Sequence, residues 1–187
     1  MKILDIDAHR SMDEGVREEF WKNIKKAGID YRCLDELEGA KVIELEVNLC
    51  SNTEEILSCA EKSGIPVLLK GETLDDVVRM AEKYPDLRLI TGGFFCKRLV
   101  LSKAAEVMKK YPQVYFCLSG GIGGGNYVLH EWIKQFDTDR LLFGSAYPYG
   151  NPASRLASVK WELRDTSSEV QEGIFYKNAE ALLWRKR

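Results

Sequence analysis

A chain of 187 residues with 45% hydrophobic content is long enough to bury one substantial core and short for two. Its formal net charge of −2, with no like-charge run beyond the terminal WRKR, excludes the basic face that nucleic acids select. No apolar stretch reaches bilayer length, Asp5 and Asp7 interrupt the first apolar segment against a signal peptide, and five cysteines without a C-x-x-C pair argue for reduced, buried thiols in a cytoplasmic protein.

Short apolar runs recur along the chain in the order KILDID, KVIELEV, IPVLLK, LRLITGG, VYFCLSG and RLLFGSA, and each reads as a strand. A helix over residues 13–27 separates the first from the second. Between the later runs, NTEEILSCAEKSG, ETLDDVVRMAEKYP, RLVLSKAAEVMKKYP and YVLHEWIKQFD place apolar residues three and four apart, as one-sided helices do. EKYPDLRLI echoes as KKYPQVYFC twenty-seven residues later, which marks a repeated α/β unit with a proline closing each helix. GGIGGGN at 120–126 has neither the Lys-Ser/Thr of a phosphate loop nor dinucleotide spacing and reads as a loop at the mouth of the sheet. Two closing helices follow, the second capped by Ser167 or Ser168. Alternation of strand and helix predicts one domain over residues 1–187 with a parallel sheet wrapped by helices.

In such folds ligands gather at the carboxyl ends of the strands. Those positions hold Asp7 and His9, Glu44 and Glu46, Lys70 and Glu72, Thr91, Ser119, and Ser145 to Tyr147. His9, just past an apolar strand and two residues after an aspartate, stands where several barrel hydrolases begin a metal site. Lys70 is either a snorkelling surface lysine or, if turned inward, a base, a Schiff-base nucleophile or an anion anchor. Glu44 and Glu46 share a face by the two-residue period, and Lys70 on the next strand is a candidate partner for them. His130, inside a helical stretch, reads as a surface or partly packed histidine. Ser119 and Ser145 lack the G-x-S-x-G elbow of a serine hydrolase.

Four stretches together resemble the amidohydrolase-related family. ILDIDAHRS is similar to its opening D-x-H-x-H strand, YPQVYFCLSG to P-N-V-Y-x-D-x-S-G, DRLLFGSAYP to D-R-x-L-F-G-S-D-x-P, and IFYKNAEALL to I-x-x-x-N-A-x-R-L-L. The resemblance implies a distorted (β/α)8 barrel that hydrolyses or decarboxylates small carboxylated, cyclic or lactone substrates, generally with one divalent metal, often zinc. Carried over by position, Asp7 and His9 match the first Asp and His. The second His falls on Ser11, a strand-end His on Lys70, another on Thr91 or Gly92, and the metal-binding Asp on Ala146, so His9 alone remains of five metal-site positions. The chain is also shorter than such barrels by roughly two β/α units, placed between the first two apolar runs. The expected fold is therefore an α/β, incomplete or distorted TIM-type barrel with about six parallel strands.

Three functional readings follow. In the leading one the chain is a degenerate barrel that needs no cofactor and keeps a small-molecule pocket; zinc or another divalent metal would return if that reading failed. In the second it is a metal-free enzyme acting on a small anionic or carbonyl substrate, with His9, Lys70 and Asp7 as catalytic residues and Glu44, Ser119, Ser145 and Tyr147 contacting substrate. The third is a scaffold or regulatory subunit. Neither nucleic acid nor membrane is an expected partner. A homodimer is, because missing units leave strand edges to cover.

Overall fold

The computed structural model describes residues 1–9, 18–47, 51–92, 98–119, 129–130 and 133–184, and in it all six apolar runs contribute parallel strands. They are β1 (Lys2–Asp5), β3 (Ile43–Glu46), β4 (Val67–Lys70), β5 (Leu89–Thr91), β6 (Val114–Cys117) and β7 (Leu141–Leu142). A further strand, β2 (Asp30–Cys33), pairs in parallel with β1. Helices α1 (Glu18–Lys26), α2 (Thr53–Ser63), α3 (Leu74–Lys83), α4 (Arg98–Lys110) and α5 (Pro152–Glu162) fall between or after the strands.

The strands form two ladders, β1–β2 and β3–β4–β5–β6–β7, the second in sequence order as expected of successive β/α units. They join at a seam between β1 and β7. There the Ile6 N–H donates to the Phe143 carbonyl at 3.1 Å, the His9 N–H donates to the Tyr147 carbonyl at 3.1 Å, and Ala8 bridges Tyr147 in parallel. The result is a distorted, incomplete TIM-type barrel. Among the described residues no ladder links β2 to β3.

That gap is crossed by the connection itself. Because β2 and β3 both run parallel to the rest, residues 34–42 must travel back from the carboxyl end of one to the amino end of the other. A single 3-10 turn (Leu34–Glu36) starts the return, and Leu34, Leu37 and Val42 turn apolar side chains into the barrel interior. One irregular segment thus runs between β2 and β3 where no ladder joins them.

The period-two alternation of the strands separates two apolar layers. Leu4, Ile6, Leu68, Ile90, Cys117 and Leu142 fill the interior, and each large one among them contributes roughly 1.5–3 kcal/mol by burial. Val67, Leu69, Leu89, Val114 and Phe116 point outward onto Val77 and Met80 of α3 and Ala104 and Met108 of α4. The repeated Lys-Tyr-Pro has a structural purpose in this outer layer. Lys83 lies over the Tyr84 ring and pairs with Glu54 of α2, while Lys110 lies over Tyr111 and pairs with Glu82 of α3 at 3.2 Å, so each repeat clips its helix to the preceding one.

The last stretch is one helical run of unequal pitch: α6 (Ser168–Glu172), a π turn (Gly173–Lys177) and α7 (Asn178–Trp184). Ser167 caps it, its hydroxyl accepting the Val170 N–H at 3.3 Å. At the π turn the Ile174 carbonyl accepts the Phe143 N–H at 3.0 Å, and the buried Asn178 amide donates to the Thr138 and Leu141 carbonyls at 2.7 and 2.8 Å. The N-A motif therefore anchors the closing helix to β7. Leu182 and Ala179 seal the amino ends of the strands, where Arg88 donates to the Leu182 carbonyl at 2.6 Å.

Several sequence expectations change in detail. The helix over 13–27 is described only from Glu18 onward, and its earlier residues, Ser11 and the glycine-rich 120–126 lie outside the described residues. YVLHEWIKQFD contains a 3-10 turn at Ile133–Gln135. Cys33 and Cys117 are buried thiols as expected, whereas Cys59 is exposed on α2. No helix among the described residues is long and apolar enough to cross a membrane.

Candidate functional site

The carboxyl ends of β1, β3 and β4 bring four of the expected side chains together as two ion pairs. His9 Nε2 meets Glu44 Oε1, and the Lys70 ammonium donates to Asp7 Oδ1. Strand register explains the convergence. Glu44 is aligned with Leu68 and Glu46 with Lys70, so all four lie on the interior face of β3 and β4. Leu45, between the two glutamates, is buried on the opposite face, and Glu46 is exposed. Lys70 was expected to partner the glutamates; instead it reaches across the mouth to Asp7, and His9 takes Glu44.

The pairing displaces His9, Glu44 and Lys70 from their ordinary ranges. The hydrogen bond that His9 donates to Glu44 holds the imidazolium above the usual imidazole range against the opposing effect of burial, and the same bond holds the Glu44 carboxyl below its usual range. Burial pulls the Lys70 ammonium down, yet the charge of Asp7 and the hydrogen bond to it outweigh that, and the net direction is upward. An amine nucleophile requires the neutral form, so this pairing works against a Schiff-base role and favours a fixed positive charge.

Ser119 and Cys117 form the floor beside Asp7. At Gly144 the packing is so close that an added Cβ would collide with Cys117 Sγ and lie 3.0 Å from Asp7 Cβ, which only glycine permits. Burial, with Asp7 nearby, pushes the Cys117 thiol up to about 12 and leaves it inert. On the rim, Glu72 accepts hydrogen bonds from the Thr91 hydroxyl and from the Gly92 N–H at 3.2 Å, and burial holds its carboxyl above the usual range.

Ser145 and Tyr147 lie elsewhere. The Tyr147 ring, 2% exposed, stands edge-on to Trp21 in the outer layer, with centroids 5.2 Å apart. Ser145 joins a network that sequence reasoning missed, centred on Asp5. This wholly buried carboxylate accepts the Tyr31 hydroxyl of β2, the Ser145 N–H at 2.9 Å and the Asp7 N–H at 3.2 Å. Desolvation, opposed by those hydrogen bonds, pushes the Asp5 carboxyl up to about 6. Only the D-x-D spacing in the first strand hinted at it. His130 is bound locally, its Nδ1 3.1 Å from the Glu162 carbonyl oxygen.

Ala146 follows Ser145 in a left-handed conformation, φ 56°, with its carbonyl accepting the Gly150 N–H at 2.8 Å. That backbone region is most readily entered, after glycine, by Asn and Asp. The alanine thus occupies a turn shaped for the aspartate that the resemblance places there.

The resemblance implies a divalent metal, and the donor set of the described residues does not fit one. Among the described residues no three His, Cys, Asp or Glu side chains are grouped to hold an ion. Asp7 already faces an ammonium, and the imidazole Nε2 that a metal would take is engaged by Glu44.

Comparison with known proteins agrees with the architecture. The chain superposes on an amidohydrolase 2 from Bifidobacterium longum subsp. infantis with a TM-score of 0.66 and 12% identity, covering 98% of both chains. An uncharacterized TIM-barrel protein from Bordetella bronchiseptica matches with a TM-score of 0.59 and 18% identity over 97% of this chain and 65% of its own. A dihydroxybenzoic acid decarboxylase from Polaromonas, solved with bound manganese and 2-nitroresorcinol, matches with a TM-score of 0.52 and 14% identity over 90% of this chain and 65% of its own. The chain thus spans nearly the whole of the first and just under two thirds of the other two. No curated protein matches it by sequence. At these identities the structural likeness speaks to fold alone, but the amidohydrolase family model matches residues 34–185, most of the chain. By that match over most of its length, the chain belongs to the amidohydrolase family.

Proposed function

We propose that this chain is a degenerate member of that family which has dispensed with the catalytic metal and keeps a small-molecule pocket at the barrel mouth. One observation carries the reading: the Lys70 ammonium lies on the Asp7 carboxylate, among positions the family gives to metal ligands. A permanent cation there repels a divalent ion by several kcal/mol at the effective dielectric of a protein site. A pocket there would suit a small anionic or carbonyl compound, with Lys70 as the anchor for its negative oxygen.

A second reading, residual catalysis without metal, is favoured by the His9–Glu44 pair. An imidazolium held by a neighbouring carboxylate keeps its proton to higher pH than a free imidazole does, and here it lies beside the anchor. In that reading Glu44 positions His9, and Ser119 lies on the floor beneath the ligand.

Elemental analysis of untagged protein, followed by zinc titration of wild type and His9→Ala, tests the proposal. Neither protein should retain metal through dialysis. Near-stoichiometric metal in wild type that disappears in His9→Ala would return the chain to the metallohydrolases. Ligand-induced melting shifts with small carboxylates that vanish in Lys70→Ala would support the pocket.

A further inference from the structure

The two mouth pairs join different sheets. Asp7 and His9 follow β1 of the two-stranded ladder, whereas Lys70 and Glu44 belong to β4 and β3 of the five-stranded one. On the far side β1 is held to β7 by isolated hydrogen bonds rather than a ladder. On the near side no ladder links β2 to β3 among the described residues. The ion pairs therefore span the opening that backbone pairing leaves.

Of the two, the Lys70–Asp7 pair is the deeper. The Asp7 side chain is 6% exposed and that of Lys70 26%. A surface lysine carries its ammonium out into water, but this one carries it inward, onto a carboxylate whose surroundings are closed by Cys117, Ser119 and Gly144. A carboxylate so placed demands a positive partner, and removal of the partner leaves it stranded.

We infer that the Lys70 ammonium is a tethered substitute for a bound cation, a positive charge supplied by the chain itself that fastens the β1 end to the five-stranded sheet through Asp7. The inference rests on the metal-free reading and adds to it the group that replaces the ion and the mechanical task it performs. A free ion stabilises a fold according to its concentration, whereas a tethered one does so at any dilution and in any chelator.

The test is thermal melting of wild type, Lys70→Ala, Lys70→Met, Asp7→Asn and Asp7→Asn/Lys70→Met, each with and without propylammonium chloride, the fragment that Lys70→Ala removes. Lys70→Ala should melt about 5–10 °C below wild type. Propylammonium should raise its melting point beyond the effect of equal sodium chloride, and should do so neither in wild type nor in the double variant. Asp7→Asn/Lys70→Met should melt above Lys70→Met, because the stranded carboxylate is gone. If Lys70→Ala and Lys70→Met are insoluble, a folded double variant upholds the inference and an equally insoluble one overturns it. A Lys70→Ala melt within about 1 °C of wild type, or equal propylammonium shifts in both, also overturns it. Stoichiometric, His9-dependent zinc in wild type would defeat the metal-free reading instead, and is read independently of these melts.

Discussion

Replacing Asp5 by asparagine should stabilise the protein at neutral pH, although it removes a residue with several hydrogen bonds. Asp5 is wholly buried, and its carboxyl is pushed from 3.8 up to about 6, mainly by desolvation. A folded-state value above the unfolded one means that the native protein holds this proton more tightly. The stabilising contribution is complete below pH 4, is lost as pH rises through about 6, and leaves an ionised penalty on the order of 3 kcal/mol above that. The asparagine side chain would keep an oxygen for the Ser145 and Asp7 N–H groups while its amide faces the Tyr31 hydroxyl, so about 1–2 kcal/mol of the penalty should be recovered after imperfect hydrogen bonding. Urea unfolding of wild type and Asp5→Asn at intervals from pH 3.5 to 8 measures this. The difference between the two curves removes Glu44, Glu72 and every other group that titrates in both proteins. The stability difference should favour wild type near pH 4, cross over, and favour Asp5→Asn by about 1–2 kcal/mol at pH 7.5. A variant weaker than wild type at pH 7.5, with a difference curve flat between pH 4 and 6, would refute the reasoning.

Four further outcomes are expected. In Glu44→Gln the His9 imidazole, one of only two in the chain and easily followed by proton NMR, should titrate lower; because its elevation stabilises the fold below its ordinary value and is lost as pH rises through the folded one, the deficit of Glu44→Gln should shrink in alkali. An unmoved His9 midpoint would separate the two groups. Ala146→Asn should raise stability by about 0.5–1 kcal/mol in urea unfolding, since φ 56° suits asparagine better than alanine, and a loss would place the constraint in the side-chain environment instead. Asn178→Ala strands the Thr138 and Leu141 carbonyls and should cost about 2 kcal/mol by the same measurement, whereas a cost below about 0.5 kcal/mol would mean that water replaces the amide. A homodimer is expected in light scattering because β2 and β3 each present an edge without a ladder partner among the described residues; a monomer at every concentration would show that residues 34–42 cover the opening sufficiently.

Strand–helix alternation and the KYP repeat made the five-stranded sheet legible, because neighbouring strands in that sheet are also neighbours in the chain. β2 was not legible. DYRC is four residues long, and its alternation of charged Asp30 and Arg32 with buried Tyr31 and Cys33 is too brief to stand out beside the preceding helix. The mouth residues Asp7, His9, Glu44 and Lys70 could be named from strand ends, but their partners could not. Whether Lys70 faces Glu44 on the adjacent strand or Asp7 across the opening depends on barrel curvature, which no local spacing encodes. Asp5 escaped for a related reason. Its environment comes from Tyr31 and Ser145, both distant in sequence, and a strand aspartate looks alike whether it meets water or a phenol.

The seam between β1 and β7 also bears on how the chain reaches this structure. Pairings within β3 to β7 close loops of only a β/α unit each and can be acquired one after another, whereas the contact between Ser145 and Asp5 spans 140 residues. Closing so long a loop carries the largest entropic barrier in the fold and yields only isolated backbone hydrogen bonds, with no ladder, in return. The small amino-terminal unit of β1, α1 and β2 should therefore dock late, onto a sheet already assembled. What holds it on arrival is carried by side chains: the Asp5 network, the Trp21–Tyr147 contact and the two charges that meet Glu44 and Lys70. The candidate site is in this sense assembled by the final step of folding, and the first nine residues carry one half of it.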